Sequence, residues 1–424
     1  MQYQNTLEFA REMDKQDPLG SFRLRFNFPQ HNGENVAYFT GNSLGLQPKS
    51  AQTIIQEVMD DWANMAVEGH FYAEKPWFDY HKLFKKDAAM LAGCKESEVV
   101  IMNSLTVNLH LLMVSFYQPK GKRIKILCEE KAFPSDQYVL ETQVKFHGFN
   151  PEEAIVEVGP KPGKWTIDEE DILNKIEELG DELALVMMGG VNYYTGQVID
   201  MKKITAAAQA KGALVGWDLA HAYGNIKLNL SDWNVDFAAW CTYKYLNSGP
   251  GALSGIFVNE RYGNDNSLNR FAGWWGYDQS TRFKMAKGFV PMTGADGWQV
   301  SNGPILGKAA HLESLKIFEE AGFDNCCKKR DLLTGYLEFI LDDISGQSKN
   351  VSFEIITPRN KNQRGCQLSM FVHGRGREVF EHLMKNGVIV DWREPNVIRM
   401  APVPLYNSFE DVYKAGQLLK EMCV

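Results

Sequence analysis

The chain of 424 residues contains no apolar run approaching the roughly 18 residues that a membrane span needs. It has no internal repeat and no low-complexity tract, and with 44% hydrophobic and 23% charged residues it is not a disordered chain. Cysteine is sparse: seven residues, an odd number, scattered and without a C-x-x-C pair. That excludes a disulfide framework and a thiolate zinc site, and it fits a reducing compartment. Excess positive charge is missing as well, since 45 Lys and Arg face 53 Asp and Glu for a net charge of −8. Such a balance leaves no footprint for nucleic acid or an anionic membrane, although a local basic pocket could still take a small acidic or zwitterionic substrate. The nine histidines form no ligand-spaced cluster, so no metal site is expected. The opening MQYQNTLEFAREMDK is polar and lacks the apolar core of a secretory signal, and a cytoplasmic location follows as the expectation.

What is present is an alternation of short apolar runs with helical patterns, the mark of a mainly parallel sheet covered by helices. Lys122–Leu127, Leu183–Met188, Ala213–Trp217 and Ala252–Val258 read as strands. The Ala-rich Met201–Lys211 and the amphipathic Asp168–Leu179 read as helices, the first stopping at Gly212. Beyond about residue 304 the pattern changes to helices over Ala309–Ala321, Lys328–Leu341 and Glu378–Asn386 with strands over Gln367–Val372 and Val388–Asp391. The chain is therefore expected to be an α/β protein. Residues 1–50, rich in turn signals, form an arm against the smaller domain; 51–304 form a large domain; 305–424 form a smaller α+β domain.

The segment Ala213–Gly251 is the most informative. One apolar strand ends in Asp218, three residues before His221, and a second run, Val235–Trp240, leads to Tyr243 and Lys244. In an open α/β sheet, ligands bind at the carboxyl ends of the strands, where both groups emerge. A lysine there can form a Schiff base with an aldehyde cofactor, and an acid on the neighbouring strand can keep a pyridine nitrogen protonated. Taken singly, an Asp at a strand end is more often a cap and a Lys more often solvated. Three further features act jointly with them. Leu105 and Thr106 offer a hydroxyl and main-chain N–H groups at a helix start for a phosphate. Phe133, in Phe133-Pro134-Ser135-Asp136, offers an aromatic face, and Tyr243 a phenol beside the lysine. These are the requirements of pyridoxal 5′-phosphate (PLP). The Gly249–Gly255 cluster has the wrong spacing for a dinucleotide fingerprint.

The segments FTGNSLGLQP, NSLTVNLHLLM, KAFPSD, GVNYYTGQ, VGWDLAHAYGN, DFAAWCTYKYLNSGPG, STRFKM and IRMAPVPLYNS together resemble the kynureninase family over nearly the whole chain. The resemblance implies PLP-dependent transferase fold type I, PLP as cofactor and a homodimer with shared active sites. It also implies hydrolytic Cβ–Cγ cleavage of kynurenine or 3-hydroxykynurenine to an anthranilate and L-alanine, in tryptophan catabolism and NAD biosynthesis. Lys244, Asp218 and Tyr243 then match the catalytic positions. Leu105, Thr106, Phe133, Pro134, Ser135, Asp136, His221, Trp274 and Asn302 match cofactor-binding positions, with Trp274 and Asn302 coming from the neighbouring subunit. Arg399 matches the clamp for the substrate α-carboxylate, a task suited to its planar fork, and without the family it would pass for a surface arginine. His70, Asn302 and Ser43 match substrate-binding positions, and the His70/Asn302 pair looks like the animal-type pattern associated with 3-hydroxykynurenine. One departure is visible: Gly189 stands where the family carries a polar residue, often Ser.

Two other readings compete. A cysteine desulfurase-like lyase on the same scaffold would need an exposed thiol on a mobile loop, for which Cys366 in RGCQLSM is the only candidate; its place before a strand-like run makes it a packing residue. A scaffold without catalysis is disfavoured by the intact Lys244, Asp218 and Arg399.

Overall fold

The computed structural model describes residues 2–345 and 351–423. A seven-stranded sheet is built from β1 (Val99–Met102), β2 (Lys125–Glu129), β3 (Ile155–Val158), β4 (Leu183–Gly189), β5 (Leu214–Asp218), β6 (Phe237–Cys241) and β7 (Ser254–Val258), in the order β1-β7-β6-β5-β4-β2-β3. Every pairing from β6 to β3 is parallel, while β7 runs antiparallel to both β6 and β1. The central strands are buried along their whole length, which is why they read as unbroken apolar runs rather than alternating ones.

Helices cover both faces. One apolar cluster packs Trp217, Trp240 and Tyr223 against Phe84, Leu315 and Phe318; the other packs Phe116, Met113 and Val144 against Phe237 and Met187. Among the described residues no helix is long and apolar enough to cross a membrane. A third cluster holds a second, four-stranded sheet, β8 (Ser352–Ile355), β9 (Leu368–His373), β10 (Asp391–Arg393) and β11 (Val397–Met400), in the order β8-β9-β11-β10 and antiparallel throughout.

Two expectations are corrected. Val388–Asp391 is not one strand: Val388–Ile389 pairs with Ala37–Tyr38, and the chain breaks at Val390 before β10 pairs with β11. The helix expected from Lys328 begins at Phe323, directly after Gly322 ends the preceding helix Ile305–Ala321, and runs to Ser345. The arm packs into both cores. Ala10, Met13, Ala37 and Phe39 join the third cluster, whereas Leu19, Phe26 and Leu46 enter the core under the large sheet. Gly45 then donates its N–H to the Tyr243 carbonyl at 2.8 Å. A Cβ at Gly45 would collide with the Lys244 carbonyl, so only glycine lets the arm approach so closely.

Candidate active site

Four parallel strands deliver their last residues to one edge: Glu129 from β2, Gly189 from β4, Asp218 from β5, and Tyr243-Lys244 just past β6. Gly189 and Asp218 are direct Cα partners, as are Asp218 and Ala239. The helix Leu105–Phe116 starts beside them after Ser104, whose side chain makes no capping bond, so the first-turn N–H groups are left for an occupant. The helix Pro134–Phe146 brings Phe133, Ser135 and Asp136 to the same place. The space between is a cavity of about 340 Å³. Ser43, Leu105, Thr106, Phe133, Ser135, Asp136, Asp218, His221, Tyr243, Lys244 and Arg399 all line it.

Lys244 Nζ lies 3.0 Å from His221 Nε2 and 6.0 Å from the centre of the Phe133 ring, which itself packs edge-on against Tyr193. Burial, reinforced by the positive charges of Lys244, Arg399 and Arg393, pushes the His221 imidazole well below its usual range, so it is neutral. Its Nε2 therefore accepts from the lysine, and its buried Nδ1 has no partner. Asp218 accepts from the Ala220 N–H at 2.6 Å and Asp136 from Ser135 Oγ at 3.2 Å. Both carboxyls are raised, chiefly by burial, and Asp136 further by the charge of Asp218. Burial also raises the Tyr243 phenol, which keeps it a hydrogen-bond donor at neutral pH.

Arg399 is not a surface residue. It is 1% exposed on β11, bonded to Asp391 and to the Tyr193 carbonyl. Arg393 also lines the cavity and reaches the same Asp391 at 3.2 Å, so two guanidinium groups share one acid and leave a net positive wall opposite the carboxylates. The second sheet thus adds its positive charge to that of Lys244.

Four sequence-matched residues lie outside this cavity. Pro134 is the first residue of its helix, where its fixed φ suits the turn, and it lines nothing. His70, Trp274 and Asn302 do not line it either. His70 is bonded to the Val67 carbonyl and packs edge-on to Trp77. Through Phe71, Phe78 and Phe283, it belongs to the same aromatic surface as Trp274, whose ring meets Phe283 at 5.9 Å. Asn302 follows Val300, whose carbonyl accepts from Trp275, and its side-chain oxygen is buried without a partner. Cys366 is 2% exposed and burial pushes its thiol up, which leaves no exposed nucleophile for desulfurase chemistry at that position.

Sequence reasoning missed Glu129, Arg393, Asp391 and Tyr193. The adjacent KAFPSD motif was a signal for Glu129, and the conspicuous Gly189 another, since a Cβ there would come within 2.9 Å of Glu129 Oε1.

The donor set fits PLP. Its acid pair suits a protonated ring nitrogen, the uncapped helix start suits a phosphate, and His221, which lines the same cavity, has a buried Nδ1 without a partner. Fold and site are those of a fold type I PLP-dependent enzyme. Solved structures with the same fold include the cysteine desulfurase of Thermococcus onnurineus, at a TM-score of 0.75 and 17% identity with 100% of this chain and 99% of that chain covered. Another is the cystine C-S lyase C-DES in complex with its product, at 0.74 and 16%, covering 91% and 98%. Sequence comparison is more specific. Residues 328–419 match the kynureninase C-terminal domain. The kynureninase of Flavobacterium psychrophilum is 62% identical over 99% of both chains, and that of Nematostella vectensis 48% identical over 97% and 93%. The chain belongs to the kynureninase family, hydrolases that act on carbon–carbon bonds with PLP as cofactor.

Proposed function

We propose that this enzyme hydrolyses L-kynurenine, 3-hydroxy-L-kynurenine or both, with the His70/Asn302 pair pointing to the hydroxylated substrate, releasing the corresponding anthranilate and L-alanine within tryptophan catabolism and NAD biosynthesis in the cytoplasm. The observation that carries the reading is the convergence of Lys244, His221, Asp218 and Arg399 on one cavity. Bound PLP supplies an electron sink for charge developing at the substrate carbons. Lys244 is its covalent anchor and afterwards moves the proton at substrate Cα, with neutral His221 Nε2 as hydrogen-bond acceptor. Asp218 would accept from the protonated ring nitrogen with Asp136 beside it, Phe133 would lie against the ring, and Leu105, Thr106 and Tyr243 would hold the phosphate. Arg399, with Arg393 beside it, binds the α-carboxylate and so fixes Cα over Lys244, while Ser43 on the arm closes the substrate side. Tyr243, a phenol that burial keeps protonated, is a candidate hydrogen-bond donor where water adds to the γ-carbonyl.

The same proposal makes the enzyme a homodimer with shared sites, and divides the chain at residues 50 and 304. What supports sharing is the position of His70 and Trp274 on an outward aromatic surface, with Trp274 43% and Phe283 60% exposed, away from the cavity of their own chain. Lys244→Ala and Trp274→Ala proteins are each expected to be feeble alone. Subunit exchange between them should restore about a quarter of wild-type activity, as statistics demand of a two-fold dimer whose sites draw on both chains. No recovery in a mixture shown to contain hybrid dimers would contradict shared sites.

His70 and Asn302 would meet the aromatic end of the substrate, where both can hydrogen-bond a ring hydroxyl. Replacing that polarity should cost the hydroxylated substrate more than the plain one. His70→Trp with Asn302→Thr is expected to lower the kcat/KM ratio of 3-hydroxykynurenine to kynurenine by about tenfold or more, the scale of one lost hydrogen bond. An unchanged ratio would remove the preference from the proposal.

A further inference from the structure

Glu129 stands in the cavity wall without a role in the scheme above. It is 4% exposed, and both carboxylate oxygens accept from the one main-chain N–H of Gly189, each at 3.1 Å. Gly189 is the Cα partner of Asp218, and Gly190 donates to the Asp218 carbonyl at 2.8 Å. Glu129 is thus tied through one strand end to the residue that faces the ring nitrogen. The absent side chain at 189 is what gives it room, since a Cβ there would lie 2.9 Å from Oε1. Among the described residues no Lys or Arg forms an ion pair with Glu129, Asp136 or Asp218. Burial, aided by the charge of Asp218 and opposed by the main-chain hydrogen bond from Gly189, raises the Glu129 carboxyl to about 7. Three acids without an ion-paired cation of their own, with Lys244 acting only on Asp218 through space, are suited to a cationic occupant.

We propose that Glu129 is a positioning residue for the cofactor ring: it braces the strand end paired with Asp218 and places a third carboxylate behind the Asp218/Asp136 pair, so that the ring nitrogen keeps its proton. This rests on Asp218 being the partner of that nitrogen. The device acts only on a ring that has a nitrogen to protonate, and that separates it from a structural brace.

The test compares PLP with its 1-deaza analogue, in which C–H replaces the ring nitrogen, by fluorescence titration of wild-type and Glu129→Gln enzyme. The Gln variant is expected to bind PLP about tenfold more weakly, the scale of one pKa unit, and the deaza analogue within twofold of wild type. Equal weakening of both ligands would reduce Glu129 to a brace, and no weakening of PLP would remove the role altogether; either result overturns the proposal. Gly189→Ala keeps the acid but crowds it, and the same selective loss is expected there, which covers the case of a poorly folded Gln variant. Failure of the wild-type protein itself to take up PLP would overturn the cofactor site together with this role, and shows in the control titration alone.

Discussion

Lys244→Ala is expected to lose turnover by at least about 10⁴-fold and to lose the visible absorbance of the enzyme-bound cofactor in the same preparation. Both losses have one source. Among the described residues Lys244 is the only lysine lining the cavity, held 3.0 Å from a neutral His221 that cannot take over a covalent role, so anchoring and proton transfer at Cα should disappear together. Folding should be little affected, because no ion pair of Lys244 is broken and the chain around it is fixed by the Gly45 N–H on the Tyr243 carbonyl. Spectra and steady-state rates of the purified variant, with circular dichroism as the folding control, check this. A variant that keeps both the band and turnover contradicts the assignment.

Arg399→Lys should show the opposite pattern: cofactor absorbance retained, and kcat/KM lowered by about 10²-fold, mostly through KM. The lysine keeps a positive charge near Asp391 but cannot present two N–H groups in one plane to a carboxylate. Since Arg393 shares Asp391 with Arg399, the acid is not stranded by the change, and stability should fall by only about 1–2 kcal/mol. The loss should shrink towards twofold for a substrate analogue without its α-carboxylate. An equal loss for both compounds would mean that Arg399 shapes the wall without gripping the carboxylate.

The sequence made Asp218 and Lys244 legible because each closes an apolar run, and the parallel-sheet rule alone sends both to one edge. Leu105 and Thr106 were legible as a helix start, and Phe133 as the residue following a strand. Arg399 was not legible from pattern: its burial and its partners Asp391 and Tyr193 come from strands distant in sequence, and only family likeness marked it. Glu129 was hidden for a related reason, since its function depends on a neighbour, Gly189, that lies beside it across β2 and β4. The single strand expected over Val388–Asp391 failed because apolar composition cannot tell which sheet a short segment joins; its two halves pair with different partners. The arm was legible as turns, but its two-sided anchoring depends on close approaches such as Gly45 on Lys244 that no local signal encodes.

The most direct test of the central claim is product analysis after mixing the enzyme with L-kynurenine and with 3-hydroxy-L-kynurenine, each with and without added PLP. Fluorescence of the aromatic amine and an enzymatic assay for L-alanine give the two products independently. Equimolar anthranilate, or its 3-hydroxy form, and L-alanine should appear, dependent on PLP and absent from Lys244→Ala. Release of sulfide and alanine from cysteine, with neither kynurenine cleaved by the PLP-loaded protein, would contradict the account.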